Sequence, residues 1–226
     1  MQRLRFSDRV PADIEVWQAS WPASAVLPSL ADLDAQEAAR ARRYRRAADA
    51  QRFVQGRRLL RQLLAERLGV AAARLRFDAG PHGKPLLAGA GWHFNVSHAA
   101  NVALVALSPR HALGVDVEQC RGDVPDPGIE ALSLTSDERA RLAAAESGSR
   151  LIDFYRHWVA KEAVLKALGW GIASALQQVR VQPLRDGFVD VRVDGAIPPS
   201  ACALPAPAGC LAALAWFRTE KAGMPA

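Results

Sequence analysis

One stretch constrains this chain more than any other: Asp153 to Gly169, which reads Asp-Phe-Tyr-Arg-His-Trp-Val-Ala-Lys-Glu-Ala-Val-Leu-Lys-Ala-Leu-Gly. Phe154, Trp158, Leu165 and Leu168 recur at helical spacings, and Gly169 stands where a C-terminal cap would fall, so the stretch predicts a helix. At about 100° per residue, Lys161 lies about 20° from Phe154, on the apolar stripe itself, while Glu162 and Lys166 share the adjoining face one turn apart. A helix that only covered a core would turn those three groups away from its stripe. The face therefore predicts a buried or half-buried polar site, and the rest of the chain must supply the groups that meet it.

The 226 residues, 50% of them hydrophobic, are enough for a substantial core in one large domain or two small lobes. The net charge of +6 is carried almost wholly by arginine, since lysine occurs only at Lys84, Lys161, Lys166 and Lys221. This basic balance favours an anionic partner, whether a nucleic acid, a phosphorylated cofactor or an acidic protein, without choosing among them. Cys120, Cys202 and Cys210 are odd in number and lack metal-ligand spacing, which argues against a disulfide framework or a zinc site and fits a reducing compartment. The N-terminal residues lack the apolar run of a signal peptide, and no segment reaches the roughly 20 apolar residues that cross a bilayer. The expectation is a soluble, cytoplasmic protein.

Taken in order, Ile14 to Trp17 is β-prone, and a helical region begins near Asp32. Arginines crowd the span from Arg40 to Arg61, Arg52 among them, and Phe53, Gly56, Leu60, Leu63 and Leu64 form a helical stripe that ends at Leu68-Gly69. These arginines read either as a solvated basic face or, for one or two of them, as a phosphate grip. Residues 79–91, with Gly83-Lys84-Pro85, read as a loop. Trp92 to His98 starts as a strand and turns polar at its end, where backbone N–H groups, a hydroxyl and a histidine suit an anion-binding turn. Ser97-His98 is no hydrolase signature, because no Gly-x-Ser-x-Gly elbow is present. Val102 to Leu107 is an apolar strand.

In the strand Ala112 to Glu118, period-two alternation puts Asp116 and Glu118 on one face, about 6.6 to 6.8 Å apart along the strand. Two carboxylates so placed can meet a single cation; the plainer reading is the wet face of an edge strand. Gly122 to Gly128 is a turn-rich connector, and Thr135-Ser-Asp-Glu138 is a capping box that opens a helix. Val179 to Val181, Phe188 to Val193 and Leu211 to Phe217 read as strands, with a turn at Arg185-Asp186-Gly187 and a proline-rich loop from Pro198 to Pro207. The pattern predicts an α+β chain of two lobes of similar build, each a small antiparallel sheet packed with helices, divided into 1–110 and 111–226 across a cleft.

Three motifs in order carry a resemblance. Gly83-Lys84-Pro85 with Phe94-Asn95-Val96-Ser97-His98, then Gly114-Val115-Asp116-Val117-Glu118, then Trp158-Val-Ala-Lys161-Glu162-Ala-Val-Leu-Lys166 resemble the 4′-phosphopantetheinyl transferases, in their larger, surfactin-type class. The resemblance covers about residues 35 to 170. It implies an enzyme of two pseudo-symmetric lobes, acting as a monomer, that moves the phosphopantetheine arm of coenzyme A onto a serine of an acyl or peptidyl carrier protein and releases adenosine 3′,5′-bisphosphate. It further implies Mg2+, with Mn2+ as the alternative, on Asp116, Glu118 and Glu162. Gly83, Lys84, Pro85, the turn Asn95-Val96-Ser97-His98 and Lys166 would touch the coenzyme, as would Asp116 and Glu162 through the metal. Arg40 and Arg52 would take its 3′-phosphate. Glu162, Lys166 and Asp116 would be the catalytic groups, with Glu162 the base for the carrier serine. Relatives often have threonine where this chain has Phe53, which removes one hydroxyl contact to that phosphate.

The physical reading agrees, since Mg2+ is held by few carboxylates plus substrate phosphate oxygens, and a basic surface steers acidic carriers. Trp158 reads as core support, and Lys161 either contacts the coenzyme or snorkels past Trp158. Two rival readings stand beside this one. An arginine-rich nucleic-acid-binding module would need no carboxylates, and Tyr44 and Phe53 are too few for a base-stacking platform. Another Mg2+-dependent phosphoryl-transfer enzyme is the second, although no Gly-x-x-x-x-Gly-Lys-[Ser/Thr] loop is present.

Overall fold

The computed structural model of the chain describes all residues except 23, 25, 81–83, 88–90, 123–125, 146–147, 172–174 and 218–226. The elements in order are β1 (Gln2–Arg3), β2 (Glu15–Ser20), α1 (Ala35–Arg42), α2 (Ala47–Leu68), β3 (Phe77–Ala79), β4 (Pro85–Leu87), β5 (His93–Ala99), β6 (Val102–Ser108) and β7 (Leu113–Gln119). They continue with α3 (Pro127–Ser133), α4 (Ser136–Ala144), α5 (Arg150–Leu168), β8 (Val179–Pro183), β9 (Phe188–Val193), β10 (Ser200–Leu204) and β11 (Cys210–Trp216). One antiparallel sheet runs β1-β2-β6-β5, a second runs β7-β11-β10-β9-β8, and β3 pairs with β4. The chain is α+β with helices packed on both larger sheets.

Four layers follow from which faces are apolar. Leu59, Leu60, Leu63 and Leu64 of α2 pack on Phe94, Val105 and Leu107 of the first sheet. The other face of that sheet, with Val16, Leu104 and Ala106, meets Val115, Val117, Leu204 and Leu214 of the second sheet. Ala160, Ala163, Val164 and Ala167 of α5 then cover the outer face of the second sheet, against Val179, Val181, Ala213 and Ala215. β6 is buried at every residue because it has protein on both faces, which is why its sequence, Val-Ala-Leu-Val-Ala-Leu-Ser, does not alternate. Each fully buried leucine of α2 stabilises this stack by about 1.5–3 kcal/mol, and truncating Leu64 to alanine would cost about 2–5 kcal/mol.

Edge strands β5 and β7 meet at the junction of the two sheets without a backbone ladder. Val115 N–H donates to Asn95 Oδ1 at 2.9 Å and Val117 N–H to Ser97 Oγ at 3.2 Å, so side chains of one sheet satisfy the free edge of the other. Close approach makes one glycine necessary and crowds a second. A Cβ on Gly114 would lie 2.2 Å from the Ala163 carbonyl oxygen and 2.4 Å from Ala167 N, so only glycine lets the α5 backbone rest on β7. On α2, a Cβ at Gly56 would press Val96 Cγ1 at 3.2 Å.

Several local expectations change. Residues 79–91 contain paired strands as well as loop, because β3 and β4 form a short hairpin. The proline-rich segment 198–207 contains β10, whose prolines flank the strand instead of interrupting it. The connector after Gly122 runs into α3, capped by Asp126, which accepts from Gly128 N and Ile129 N, with Pro127 in the first turn. The polar end of the Trp92–His98 stretch is no turn: β5 continues through Ala99, and the reversal comes at Ala100, whose φ is 48°. The helix read from Asp153 begins at Arg150 and ends as expected at Gly169, in the left-handed conformation with φ 74°.

Candidate active site

Asp116 sits in the middle of β7, 1% exposed. Its Oδ1 accepts from Ser97 Oγ at 2.8 Å and from Lys166 Nζ at 2.5 Å, while Oδ2 is buried with no hydrogen-bond partner. Glu118 follows on the same face, and Glu162 comes in from α5, with Oε2 3.5 Å from Lys166 Nζ. One oxygen from each of Asp116, Glu118 and Glu162 lies within 4.8 Å of the others. Burial, and then the charge of Asp116, push the Glu118 carboxyl up to about 7; Lys166 and the Trp158 indole only partly offset this. Glu162 is pushed up to about 7 by burial, then by Asp116, with Glu118 adding to the effect. Burial alone would lower Lys166, but Asp116, Glu162 and Glu118 outweigh it and raise its pKa.

Three carboxylates therefore share one ammonium and one hydroxyl, with a buried acceptor left over. A hard divalent cation fits such an oxygen donor set, and Asp116 Oδ2 is the acceptor it would satisfy. Mg2+ and Mn2+ both suit these donors.

Beside the cluster opens a cavity of about 440 Å3. Its walls come from α1 and α2 (Arg40, Phe53, Arg57), from Tyr44 between them, from Lys84-Pro85, from Asn95, Val96 and His98 of β5, and from Lys166 with Gly169-Trp170-Gly171 at the end of α5. Lys84 Nζ donates to the Lys166 carbonyl at 2.7 Å and the Leu113 carbonyl at 3.3 Å, so it caps the negative end of α5. Burial lowers its pKa. His98 faces the cavity, and its pKa is lowered by desolvation, then by Lys166 and Arg52, which disfavours the protonated form.

The residues anticipated from sequence divide accordingly. Asp116, Glu118, Glu162 and Lys166 converge; Arg40, Lys84, Pro85, Asn95, Val96 and His98 line the cavity. Gly83 lies outside the described residues. Asn95 and Ser97 spend their polar atoms joining β5 to β7, and Ser97 also braces Asp116, so these two act as a weld more than as an anion-binding turn. Arg52 does not line the cavity: its guanidinium pairs with Asp49 and donates to the Ala100 carbonyl. Arg57 does line it. Its Nη1 is buried without a hydrogen-bond partner, and its nearest carboxylate, Glu37, is 3.7 Å away. Phe53 is 6% exposed under Arg40, whose Cζ is 5.0 Å from the ring centroid.

Lys161 is neither a coenzyme ligand nor a snorkelling side chain. Fully buried, it pairs with Glu138 at 2.6 Å and donates to the Ser133 and Leu176 carbonyls. Glu138 is the capping-box glutamate of α4, and it also accepts from Thr135 N and Val181 N, so a single carboxylate ties α4, α5 and β8 together. Trp158 packs in the core, as expected, with an edge toward Glu118. Trp170 and Arg57 were missed. The signal for Arg57 was its place one helical turn after Phe53; nothing local distinguishes Trp170 from a residue that merely follows a helix cap.

A carboxylate cluster under α5 where the edges of the two sheets meet, beside a cavity lined by cations, is the arrangement of an enzyme handling a phosphorylated substrate. Two family models match the chain: that of the 4′-phosphopantetheinyl transferase superfamily over residues 112–206, and that of the 4′-phosphopantetheinyl transferase N-terminal region over residues 16–110. The 4′-phosphopantetheinyl transferase HetI of Nostoc is 33% identical over 178 residues, covering 75% of this chain and 73% of HetI. A Synechocystis relative is 40% identical over 154 residues, covering 65% of this chain and 61% of that protein. The rat L-aminoadipate-semialdehyde dehydrogenase-phosphopantetheinyl transferase is 31% identical over 152 residues, 61% of this chain and 49% of the rat protein. The chain belongs to the 4′-phosphopantetheinyl transferase superfamily.

Proposed function

We propose that the chain transfers the 4′-phosphopantetheine arm of coenzyme A to a serine of an apo carrier protein. The observation that carries this reading is the convergence of Asp116, Glu118 and Glu162 with Lys166 at one end of the cation-lined cavity. The nucleotide half of coenzyme A would occupy the cavity, with its pyrophosphate toward Lys166 and the carboxylates. Arg40 and Arg57 are better placed than Arg52 for the 3′-phosphate, because Arg57 presents an unsatisfied buried donor where Arg52 is already bonded.

In the reaction the carrier serine oxygen attacks the phosphorus that bears the pantetheine arm, the bond to the other phosphate breaks, and adenosine 3′,5′-bisphosphate leaves. Bound Mg2+ would neutralise the pyrophosphate and orient it for displacement. Glu162, which α5 brings to the cluster beside Asp116 and Glu118, would accept the serine proton. Lys166 would stabilise the charge developing on the leaving phosphate. Ser97 would hold Asp116 in orientation.

The carrier would approach on the Glu118 side, where a cavity of about 320 Å3 is bounded by Arg121, Asp126, Ile129, Tyr155 and Trp158. Ile129 and Leu132 of α3 are exposed there, and the arginine-rich surface would draw in an acidic partner. A two-lobe division at 1–110 and 111–226, monomeric action and cytoplasmic residence complete the reading. The passage between sheets at residues 109–112 supports the division, and three free cysteines support a reducing compartment. No helix among the described residues is long and apolar enough to cross a membrane.

Incubation with coenzyme A, Mg2+ and an apo carrier should raise the carrier's mass by one phosphopantetheine. An unchanged mass across several carriers, with an active control enzyme alongside, would sink the reading.

A further inference from the structure

The cavity wall includes a third aromatic ring, that of Trp170, beside Tyr44 and Phe53. Trp170 follows Gly169 directly, and the turn is fixed by Gly169 N–H donating to the Lys166 carbonyl at 3.3 Å and Trp170 N–H to the Leu165 carbonyl at 3.0 Å. That turn puts Trp170 just past the end of the helix, outside its regular path. Part of the ring packs on the core beneath α5, and the rest lines the cavity between two glycines. An aromatic residue just past a helix cap often does no more than cover the last turn. Here the ring also borders a cavity that holds Lys84, Lys166 and His98.

The other aromatic groups of the cavity are already engaged. Phe53 is contacted by Tyr44, with ring centroids 5.6 Å apart, and by the guanidinium of Arg40. Aromatic and cation–π pairings among the described residues do not include Trp170. A partly buried indole in the wall of a cavity that also holds two ammonium groups suits a flat π-system joined to phosphates, because stacking takes the base while the cations take the phosphate oxygens.

We propose that Trp170 is a specificity-determining residue of this site: its indole stacks on the base of the bound nucleotide and so sets how strongly the chain prefers an adenine nucleotide over the bare phosphates. The inference rests on the reading of the cavity as the nucleotide subsite. The reacting phosphorus must lie at the carboxylates, and the flexible pantetheine arm leaves from there with the carrier. The base is then the one aromatic group of the substrate, and it stays behind in the cavity that Trp170 lines.

The test is calorimetric binding of adenosine 3′,5′-bisphosphate and of inorganic pyrophosphate, both with Mg2+, to wild type, W170F and W170L, with tryptophan emission followed in parallel. W170L should bind the bisphosphate about 5- to 150-fold more weakly, the range expected for loss of one base–aromatic stack. W170F should keep most of the affinity, and pyrophosphate should bind all three proteins alike. The nucleotide should quench wild-type emission, and W170F should lose that quenching. Undiminished bisphosphate affinity in W170L overturns the proposal, as does an equal loss of pyrophosphate affinity, which would mark Trp170 as a support of the cavity wall. Wild type that binds neither ligand overturns the coenzyme reading along with it; nucleotide binding in wild type that persists in W170L removes this inference alone.

Discussion

Two buried charge clusters, one on each side of the double sheet, are built to opposite rules. Arg61 of α2 is fully buried; it meets Asp34 and Glu37 at 2.7 Å each, and it also donates to the carbonyls of Ala72 and Leu75. Asp34 and Glu37 form the capping box of α1, so this cluster does for the N-terminal helices what Lys161 and Glu138 do for α4, α5 and β8. Around Asp116 the balance is different. Three carboxylates face one ammonium, two carboxyls are displaced to about 7, and Asp116 Oδ2 has no partner. Glu37 Oε1 also has no hydrogen-bond partner, but there Arg61 and Arg57 balance the two carboxylates. A charge-balanced cluster fastens helices, whereas an excess of carboxylates stores an unmet demand for positive charge, and that demand marks the candidate active site.

The comparison fails most plainly if the carboxylate-rich cluster turns out to be structural. Asp116→Ala and Glu162→Ala are each expected to reduce carrier modification by at least about a hundredfold while the fold is retained, since each leaves two carboxylates to pair Lys166 and relieves like-charge repulsion among them. Retained turnover, or collapse of the fold, would contradict this. The charge-balanced clusters should behave in reverse. Arg61→Met strands two carboxylates, and Lys161→Met strands Glu138; each should destabilise by about 3–5 kcal/mol in urea unfolding, with transfer per folded molecule nearly unchanged. A large loss of turnover in folded Lys161→Met would return that lysine to the chemistry.

Smaller effects sharpen the contrast. Asn95→Ala leaves Val115 N–H unpaired at the junction of the sheets and should cost about 1–3 kcal/mol. The smallest expected effect is on pH dependence. Glu118 and Glu162 titrate near 7 when folded, against 4.5 as the ordinary value, so between these pH values the folded chain retains protons that the unfolded chain has released. Their contribution to stability is fully present below pH 4.5 and is lost as pH rises through about 7. Thermal midpoints taken in chelator from pH 5 to 8 should fall by a few degrees more in wild type than in Glu162→Gln, and Mg2+ should remove most of the difference. Identical profiles would show that the carboxylates carry no such strain.

Much of the site was legible because its signals are local or periodic. Alternation alone put Asp116 and Glu118 on one face of a strand, and a 3.6-residue period put Glu162 and Lys166 one turn apart on a helix. The family motifs then joined the two stretches. Arg52 and Arg57 show where legibility stops. They belong to one helix, and which of them reaches the cavity depends on how α2 lies against β5 and α1, information that no window of sequence contains. The polar end of β5 read as a turn for a related reason: Asn95 and Ser97 have their partners in Val115, Asp116 and Val117, across a sheet boundary.

By itself the sequence determined the helix read from Asp153 and its glycine stop at Gly169, the strand carrying Asp116 and Glu118, and the need for a buried polar face, since each follows from side-chain periodicity and glycine's access to positive φ. Tertiary structure alone decided which polar residue did what. Lys161 found Glu138 and became a tie between elements, while Lys166, five residues later on the same helix, found Asp116 and entered the candidate active site. The physical reason is burial: once both ammonium groups leave water, their roles are set by whichever carboxylate the packing brings within reach.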